Sequence, residues 1–199
     1  MIQTLTRPSK RIINITPNPF NSTMSSLSTT PSKTPTKAVA DLCDDYIPSP
    51  TPIHIVNPCI FKDYGGKKSF SGKIRTVKCH ESNPLVKDLL SSKPSSPSEV
   101  LVVDGGGSLR CALLGDMIAS LAVQNGWSGI IINGCIRDSK VISTMDIGVK
   151  ARGTMPVKSL KNNPGVSDVV VAFEGVEFVP GHYLYADEDG IIVSEKELS

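Results

Sequence analysis

Two short apolar runs separated by an amphipathic segment constrain the fold of this chain more than any other feature. The run 100–104 (VLVVD) ends in three glycines, and the run 130–133 (IIIN) ends in Gly134. Each run predicts a buried strand. The segment between them has apolar residues at helical spacing: Leu114, Met117, Ile118, Leu121 and Ala122. The pattern predicts a βαβ unit whose helix ends at Asn125-Gly126.

The carboxyl edge of these strands is where a ligand is expected. Parallel strands joined by a right-handed crossover lie in one sheet, and ligands collect beyond their carboxyl ends. Three segments meet at this edge in the predicted fold: the Gly-rich turn 105–107, the helix start at Gly115 and Asp116, and the segment 134–138.

The C-terminal part of the chain has a different sequence pattern. Short strand-like runs are separated by Glu-Gly, Pro-Gly and Asp-Gly turns; the runs are 169–172, 176–179, 183–186 and 191–193. This spacing predicts an antiparallel β layer, so the whole domain is α/β with a mixed architecture. The turn 187–190 (DEDG) has the start of a calcium loop but lacks the later ligands, which favours a β-turn.

Composition excludes several classes of protein. No apolar run approaches the roughly 20 residues that cross a bilayer, so we expect no membrane partner. The net charge of +2 is small, and it does not argue for nucleic acid. The lysine-rich stretch 62–78 fits either a nucleic-acid surface or a solvated turn and strand, and the second is favoured. Five cysteines without a CxxC motif indicate free thiols in a reducing compartment.

The first 36 residues differ from the rest. They are rich in Ser, Thr, Pro and Asn, and they contain four basic residues and no acid. Such a segment is typical of an organellar transit peptide or of a disordered extension. We therefore expect a leader over 1–36 and one domain over 37–199, in a soluble intracellular protein that is cytoplasmic or organellar.

Three polar residues at the predicted edge are candidates for chemistry. Asp116 is either a helix-end carboxylate or a group that moves a proton. Arg137 is either a surface arginine or a fork for a substrate carboxylate. Asp138 is either the N-cap of a short helix over 139–146 or a ligand for a hard cation. Their convergence favours a site for a small oxo-acid. The glycines at 105–107 fit neither nucleotide-binding motif.

The chain resembles a known family over residues 38–199. The run VLVVDGGGSLRCALLGDMIASLAVQNGWSGIIINGCIRD, with MDIGVKARGTMPVKS and PGHYLYADEDGIIV, is similar to the RraA-like proteins, specifically the plant-type 4-hydroxy-4-methyl-2-oxoglutarate aldolases. The resemblance implies a class II aldolase dependent on Mg²⁺ or Mn²⁺ that also decarboxylates oxaloacetate. It also implies an α/β/β sandwich and a homotrimer with its sites at subunit interfaces.

The resemblance assigns roles by position. The backbone of Gly115, Asp116, Met117 and Ile118 would bind the pyruvyl part of the substrate. Arg137 would bind the oxo-acid end, and Asp138 would ligate the metal. Cleavage would then leave its electrons in a metal-stabilised pyruvate enolate, with Asp116 as the base through a metal-bound water. The alternative is a non-enzymatic regulator that binds a ribonuclease, as the family's namesake does; the intact Arg-Asp pair favours the enzyme.

Overall fold

The computed structural model describes residues 37–58, 60–163 and 165–199, so the predicted leader lies outside the described residues. The elements of the described residues are α1 (Val39–Tyr46), β1 (Ile53–Ile55), β2 (Lys62–Asp63), β3 (Phe70–Lys78), α2 (Pro84–Leu90), β4 (Glu99–Asp104), β5 (Ala112–Leu114), α3 (Asp116–Asn125), β6 (Gly129–Ile136), α4 (Ser139–Ile142), β7 (Gly148–Thr154), β8 (Val166–Ser167), β9 (Val171–Phe173), β10 (Val176–Phe178), β11 (Tyr183–Ala186) and β12 (Ile191–Ser194).

One large sheet organises these elements. Its order is β1-β12-β11-β3-β4-β6-β7-β2, with β5 paired to β6 and β8 paired to β3. The strands β3, β4, β6 and β7 run parallel, and β4 and β6 pair from Val100↔Gly129 to Asp104↔Asn133. The predicted βαβ unit is therefore confirmed, and the left-handed Gly126 ends α3 as expected.

The sheet has a different layer on each face. Alternate residues of β4 face two cores, because successive side chains of a strand point to opposite sides. Leu101 and Val103 pack with helices α2 and α3, whereas Val100 and Val102 pack with the β9–β10 hairpin. A smaller cluster packs α1 against β11 and β12. This arrangement confirms the α/β/β architecture.

The C-terminal strands divide between the two β layers. Only β9 and β10 form the separate antiparallel sheet; β11 and β12 join the large sheet, where β11 pairs with β3 from Tyr183↔Lys73 to Ala186↔Phe70. Local turn signals predict the strands but carry no information on a partner more than 100 residues away. The predicted turn after β11 is confirmed, because the Asp187 N–H donates to the Gly190 carbonyl at 3.1 Å.

The buried residues of helix α3 differ from the apolar residues that were predicted to form its buried face. Leu114 lies in β5, which the sequence pattern did not indicate, and the helix begins at Asp116. Met117 is 78% exposed, and the buried face is formed by Ala119 and Ala122. The predicted start of the helix at Gly115 and Asp116 is confirmed, but the apolar stripe was wrong at Leu114, which pairs with β6 as part of β5, and at Met117, which faces solvent.

The described cysteines are free thiols, as predicted. Cys79, Cys111 and Cys135 are buried, and Cys43 is partly buried; Cys59 lies outside the described residues. Burial raises the pKa of the Cys79 thiol to about 12. Within the described ranges, no helix is both long and apolar enough to cross a membrane.

Two glycines make room for one aromatic ring. Phe70 is fully buried in β3. A Cβ built on Gly129 in β6 or on Gly148 at the start of β7 would overlap the Phe70 ring. The ring therefore occupies space that these two strands leave free by having no side chain at these positions.

Replacing Gly148 by alanine is expected to lower the free energy of unfolding by about 1–3 kcal/mol, because the added methyl group must displace the Phe70 ring or the backbone. Urea denaturation measures this loss. Gly190→Ala is the matched control, since nothing lies within 4 Å of a Cβ added there. The double variant Phe70→Leu/Gly148→Ala should lose less than the sum of the single losses. Equal stabilities of Gly148→Ala and Gly190→Ala would contradict the steric argument.

Candidate functional site

The carboxyl ends of β5 and β6 bring the predicted site residues together. Strand β5 leads directly into α3, with Gly115 as the residue before the helix. Beyond β6, the Arg137 N–H donates to the Leu114 carbonyl at 2.9 Å, so Arg137 lies beside the start of α3. The two sequence motifs, 115–118 and 137–138, are therefore adjacent in the fold.

Arg137 and Asp138 form an ion pair against the start of α3. Asp138 Oδ2 lies 3.3 Å from Arg137 Nε, and the Asp116 N–H donates to the same oxygen over a long 3.5 Å. Both side chains remain open to solvent, at 40% and 36% exposure. A Cβ on Gly115 would lie 2.8 Å from Asp138 Oδ2 and 3.2 Å from Arg137 Nε. The pair therefore depends on the missing side chain at position 115.

Asp138 does not use its side chain as a helix cap. It occupies the N-cap position of α4, but its backbone is left-handed (φ 57°) and its carboxylate makes no capping hydrogen bond. The predicted helix over 139–146 is also shorter, since α4 ends at Ile142. The N-cap position is thus confirmed, but the carboxylate contacts Arg137 and the start of α3 and leaves α4 uncapped by a side chain.

The start of α3 presents N–H groups to carboxylate oxygens. The Met117 N–H donates to Asp116 Oδ1 at 2.7 Å, and the Asp116 N–H faces Asp138. The Ile118 N–H donates to the Gly115 carbonyl at 3.1 Å. Free N–H groups and the helix dipole favour anionic oxygen at a helix start. Two such oxygens are supplied here by the chain itself.

The donor set suits a hydrated hard cation. Asp116 and Asp138 bring two carboxylates to one place, and no group of three or more His, Cys, Asp or Glu residues with metal-binding potential occurs in the described part of the chain. Mg²⁺ keeps several waters and accepts one or two carboxylates together with substrate oxygens. The two carboxylates are therefore oxygen ligands of the kind that a hydrated Mg²⁺ or Mn²⁺ accepts.

The Gly-rich turn does not form a phosphate cradle. The N–H groups of Gly105 and Gly107 donate to the Asn133 carbonyl at 3.0 and 3.1 Å, and the Gly106 N–H donates to Asp104 Oδ1 at 2.9 Å. Because these donors are already used, the turn has none to offer a phosphate. The rejection of a nucleotide motif at this turn is consistent with this geometry.

The sequence analysis missed a row of polar side chains at the same edge. Arg152 in β7 donates to Asn133 Oδ1 at 3.3 Å and to Glu174 Oε1 at 2.7 Å. Asn133 donates in turn to Asp104 Oδ1 at 2.9 Å. We call these four residues the polar row. No local spacing signals it, since its members come from three strands and the β9–β10 turn.

A second missed cluster surrounds Glu81. Its carboxylate accepts hydrogen bonds from Arg110 Nε and Ser108 Oγ, both at 2.6 Å. These bonds, the one from Arg110 first, lower the pKa of Glu81 below its ordinary value. His80 Nε2 lies 3.8 Å from the same carboxylate. The cluster joins the residues after β3 to the loop between β4 and β5.

Strained backbone recurs at acidic residues. Among the described residues, the non-glycine positions with positive φ are all acidic, and each carboxylate is paired with an arginine. The pairs are Glu81 with Arg110, Asp138 with Arg137, Asp168 with Arg75, and Glu174 with Arg152. Left-handed backbone is uncommon outside glycine and concentrates at functional positions.

Comparison with known proteins identifies relatives over most of the chain. A protein of Aromatoleum aromaticum named "Putative 4-hydroxy-4-methyl-2-oxoglutarate aldolase" is 52% identical over 159 residues, which are 80% of this chain and 96% of the relative. A protein of Azotobacter vinelandii with the same name is 52% identical over 158 residues, 79% of this chain and 94% of its own.

Solved structures show the same fold. A Geobacillus kaustophilus structure described as an S-adenosylmethionine: 2-dimethylmenaquinone methyltransferase has a TM-score of 0.76 and 49% identity, and the match covers 81% of this chain and 97% of that one. The RNA-processing inhibitor RraA from Thermus thermophilis has a TM-score of 0.75 and 38% identity, with 82% and 95% covered. The family model for RraA-like proteins, Aldolase/RraA, matches residues 39–193, and the chain therefore belongs to the RraA-like family.

Proposed function

We propose that this chain is a divalent-metal-dependent (class II) aldolase that cleaves 4-hydroxy-4-methyl-2-oxoglutarate to pyruvate, with a secondary oxaloacetate decarboxylase activity. The observation that carries the proposal is the Arg137–Asp138 pair held against the N–H groups that begin α3. A cation-binding carboxylate, a guanidinium and helix N–H groups within one site suit a small 2-oxo acid. The aldolase names of relatives at about half identity support the same reaction class.

Each residue has a role in this proposal. Arg137 binds the carboxylate of the 2-oxo acid, and the backbone of 115–118 orients the pyruvyl half. Asp138 would hold Mg²⁺ or Mn²⁺, which when bound supplies Lewis-acid stabilisation of charge on the substrate's carbonyl oxygen. Asp116 accepts the proton of the 4-hydroxyl group as the C–C bond breaks.

Both reactions break a C–C bond and leave its electron pair on the same carbon of the pyruvyl half. In the aldol cleavage, the electrons of the broken C–C bond stay on the pyruvyl half while the other half leaves as a carbonyl compound. In oxaloacetate, the bond to the leaving CO₂ breaks and the electrons stay on the same carbon. In both reactions this carbon then takes up a proton to give pyruvate. Arg137 and the start of α3 contact only the shared half, so one site serves both substrates. No lysine and no Schiff base take part.

Pyruvate release tests the proposal directly. The wild-type protein with Mg²⁺ should release pyruvate from both substrates, and a chelator should abolish the release. Asp138→Asn should lower kcat/KM at least ~100-fold, because the amide removes the negative charge that holds the cation. Asp146→Asn is the control, since that carboxylate is exposed and follows α4. No release above the uncatalysed rate in correctly assembled wild-type protein would sink the aldolase proposal.

The glycine before α3 gives a second test. Gly115→Ala should raise KM at least ~10-fold while leaving the melting temperature nearly unchanged, because its methyl group crowds Asp138 Oδ2 and Arg137 Nε at the open edge. Steady-state kinetics and thermal unfolding measure the two quantities. Gly153→Ala on β7 is the matched control, since its Cβ would meet Cys135 Sγ at an ordinary 3.7 Å. Equal kinetics of the two variants would count against substrate binding at Gly115.

The second candidate function is a non-enzymatic regulator that binds a ribonuclease. The observation in its favour is the 38% identity to the RNA-processing inhibitor RraA. The Arg137–Asp138 pair favours the enzyme, because a pure interaction module has no need of a solvent-open ion pair beside helix N–H groups. Recovery of a ribonuclease at stoichiometric level in a pull-down, together with no binding of Mg²⁺ or Mn²⁺, would reverse this preference.

We further propose a homotrimer with its sites at subunit interfaces, and a leader over residues 1–36 that is either a transit peptide or an extension. The exposed apolar side chains of Met117 and Val141, on the two helices that flank the site, support an interface there. Light scattering of the domain over 37–199 should give three times the mass of one such chain. A monomer with full lyase activity would contradict the interface site.

A further inference from the structure

We propose that Arg152 is a positioning residue for the Arg137–Asp138 site, and that it acts through Asn133 of the polar row. This inference rests on the proposed function, because the site that it positions is the proposed lyase site. Arg152 lies on β7, the neighbour of β6, and its guanidinium is already engaged by Asn133 and Glu174. It therefore influences the reaction by holding other residues in place.

The first step of the argument is the irregularity in β6. Ile132 pairs with Ala151, and the next pair is Cys135 with Gly153. Two residues of β6, at 133 and 134, thus oppose the single residue Arg152. An extra residue in one strand is a bulge, and a bulge changes which face the following side chains point to. Two residues separate this bulge from Arg137 and Asp138.

The second step is what holds the bulge. Asn133 is only 4% exposed, so its amide must be hydrogen-bonded in the fold. Its Nδ2 donates to Asp104 on β4, and its Oδ1 accepts from Arg152 on β7. The bulged residue is therefore held from both neighbouring strands. Loss of the Arg152 donor leaves a buried acceptor without a partner and frees β6 to return to regular pairing.

The third step connects the bulge to the other half of the site. The backbone carbonyl of Asn133 accepts the N–H groups of Gly105 and Gly107. Gly107 has φ +66°, and a Cβ added there would overlap the end of the Arg152 side chain at Nη1. These hydrogen bonds hold the turn that follows β4 against the bulge. The chain continues from this turn into β5 and α3. The polar row therefore holds the segments that lead into both sequence motifs of the site, 115–118 and 137–138.

The fourth step is the anchor of Arg152. Glu174 lies in the two-residue turn between β9 and β10 and accepts from Arg152 Nη2 at 2.7 Å. Its side chain is mostly buried, at 13% exposure, and its own N-terminal neighbour Phe173 stacks on Phe178. The small sheet therefore provides a rigid support for the guanidinium. A charged pair that is shielded from water holds its geometry better than an exposed one.

Arg152→Gln tests the proposal, with Arg75→Gln as the matched control. Arg75 also pairs with a left-handed acidic residue, Asp168, at 2.6 and 2.9 Å, but it lies within β3 away from the bulge. Arg152→Gln should lower kcat/KM for pyruvate release at least ~10-fold, the size typical of residues that orient metal ligands. Arg75→Gln should lower the melting temperature and leave kcat/KM at the wild-type value.

A conservative variant and a structure complete the test. Glu174→Gln keeps an acceptor for Arg152 and should retain most of the activity that Glu174→Ala loses. The crystal structure of Arg152→Gln should show Arg137 and Asp138 displaced together with a change in the pairing of β6 with β7. An unchanged site in that structure, or equal kinetic losses in Arg152→Gln and Arg75→Gln, would overturn the proposal. Because the crystal structure does not depend on activity, it decides the inference even if wild-type protein releases no pyruvate.

Discussion

The pairing of β6 with β4, β5 and β7 is the interaction on which the rest of the molecule depends. All eight residues of β6 are buried, so its backbone groups must find partners inside the sheet. Strand β4 pairs with its first half, and β5 takes the place of β4 beside its second half. This exchange of partners directs α3 toward Arg137. The site therefore results from how a fully buried strand completes its hydrogen bonds.

The sequence predicts the centre of the molecule well. Apolar runs at 100–104 and 130–133 indicate buried strands because their period and length are local properties, and the convergence of 115–118 with 137–138 follows from the rule on parallel strand ends. Strand β5 and the exposure of Met117 were not predicted, because both depend on which residues lie across the sheet. The family resemblance supplied the proposed roles of Gly115 and Asp138, because the residues alone leave open whether each position is structural or functional.

Long-range ion pairs explain why the polar row and the Glu81 cluster escaped the sequence analysis. Each unites residues that are tens of positions apart, such as Arg152 with Glu174 and Glu81 with Arg110. In both, the acidic partner has a left-handed backbone, which costs of order 1–3 kcal/mol and persists only where neighbours enforce it. In both, an arginine contacts the carboxylate of the left-handed residue, so each ion pair coincides with an unusual backbone conformation.

Buried cysteines near the same edge differ in accessibility from its carboxylates. Cys79 follows β3, Cys111 precedes β5, and Cys135 lies in β6, and burial raises the pKa of each thiol. The thiolate is the reactive form of cysteine, so these three buried thiols are expected to be unreactive toward oxidants and other reagents in solvent. Asp116 and Asp138 offer only oxygen. The sulfur atoms therefore lie within the packed sheet, while the open edge presents carboxylate oxygens.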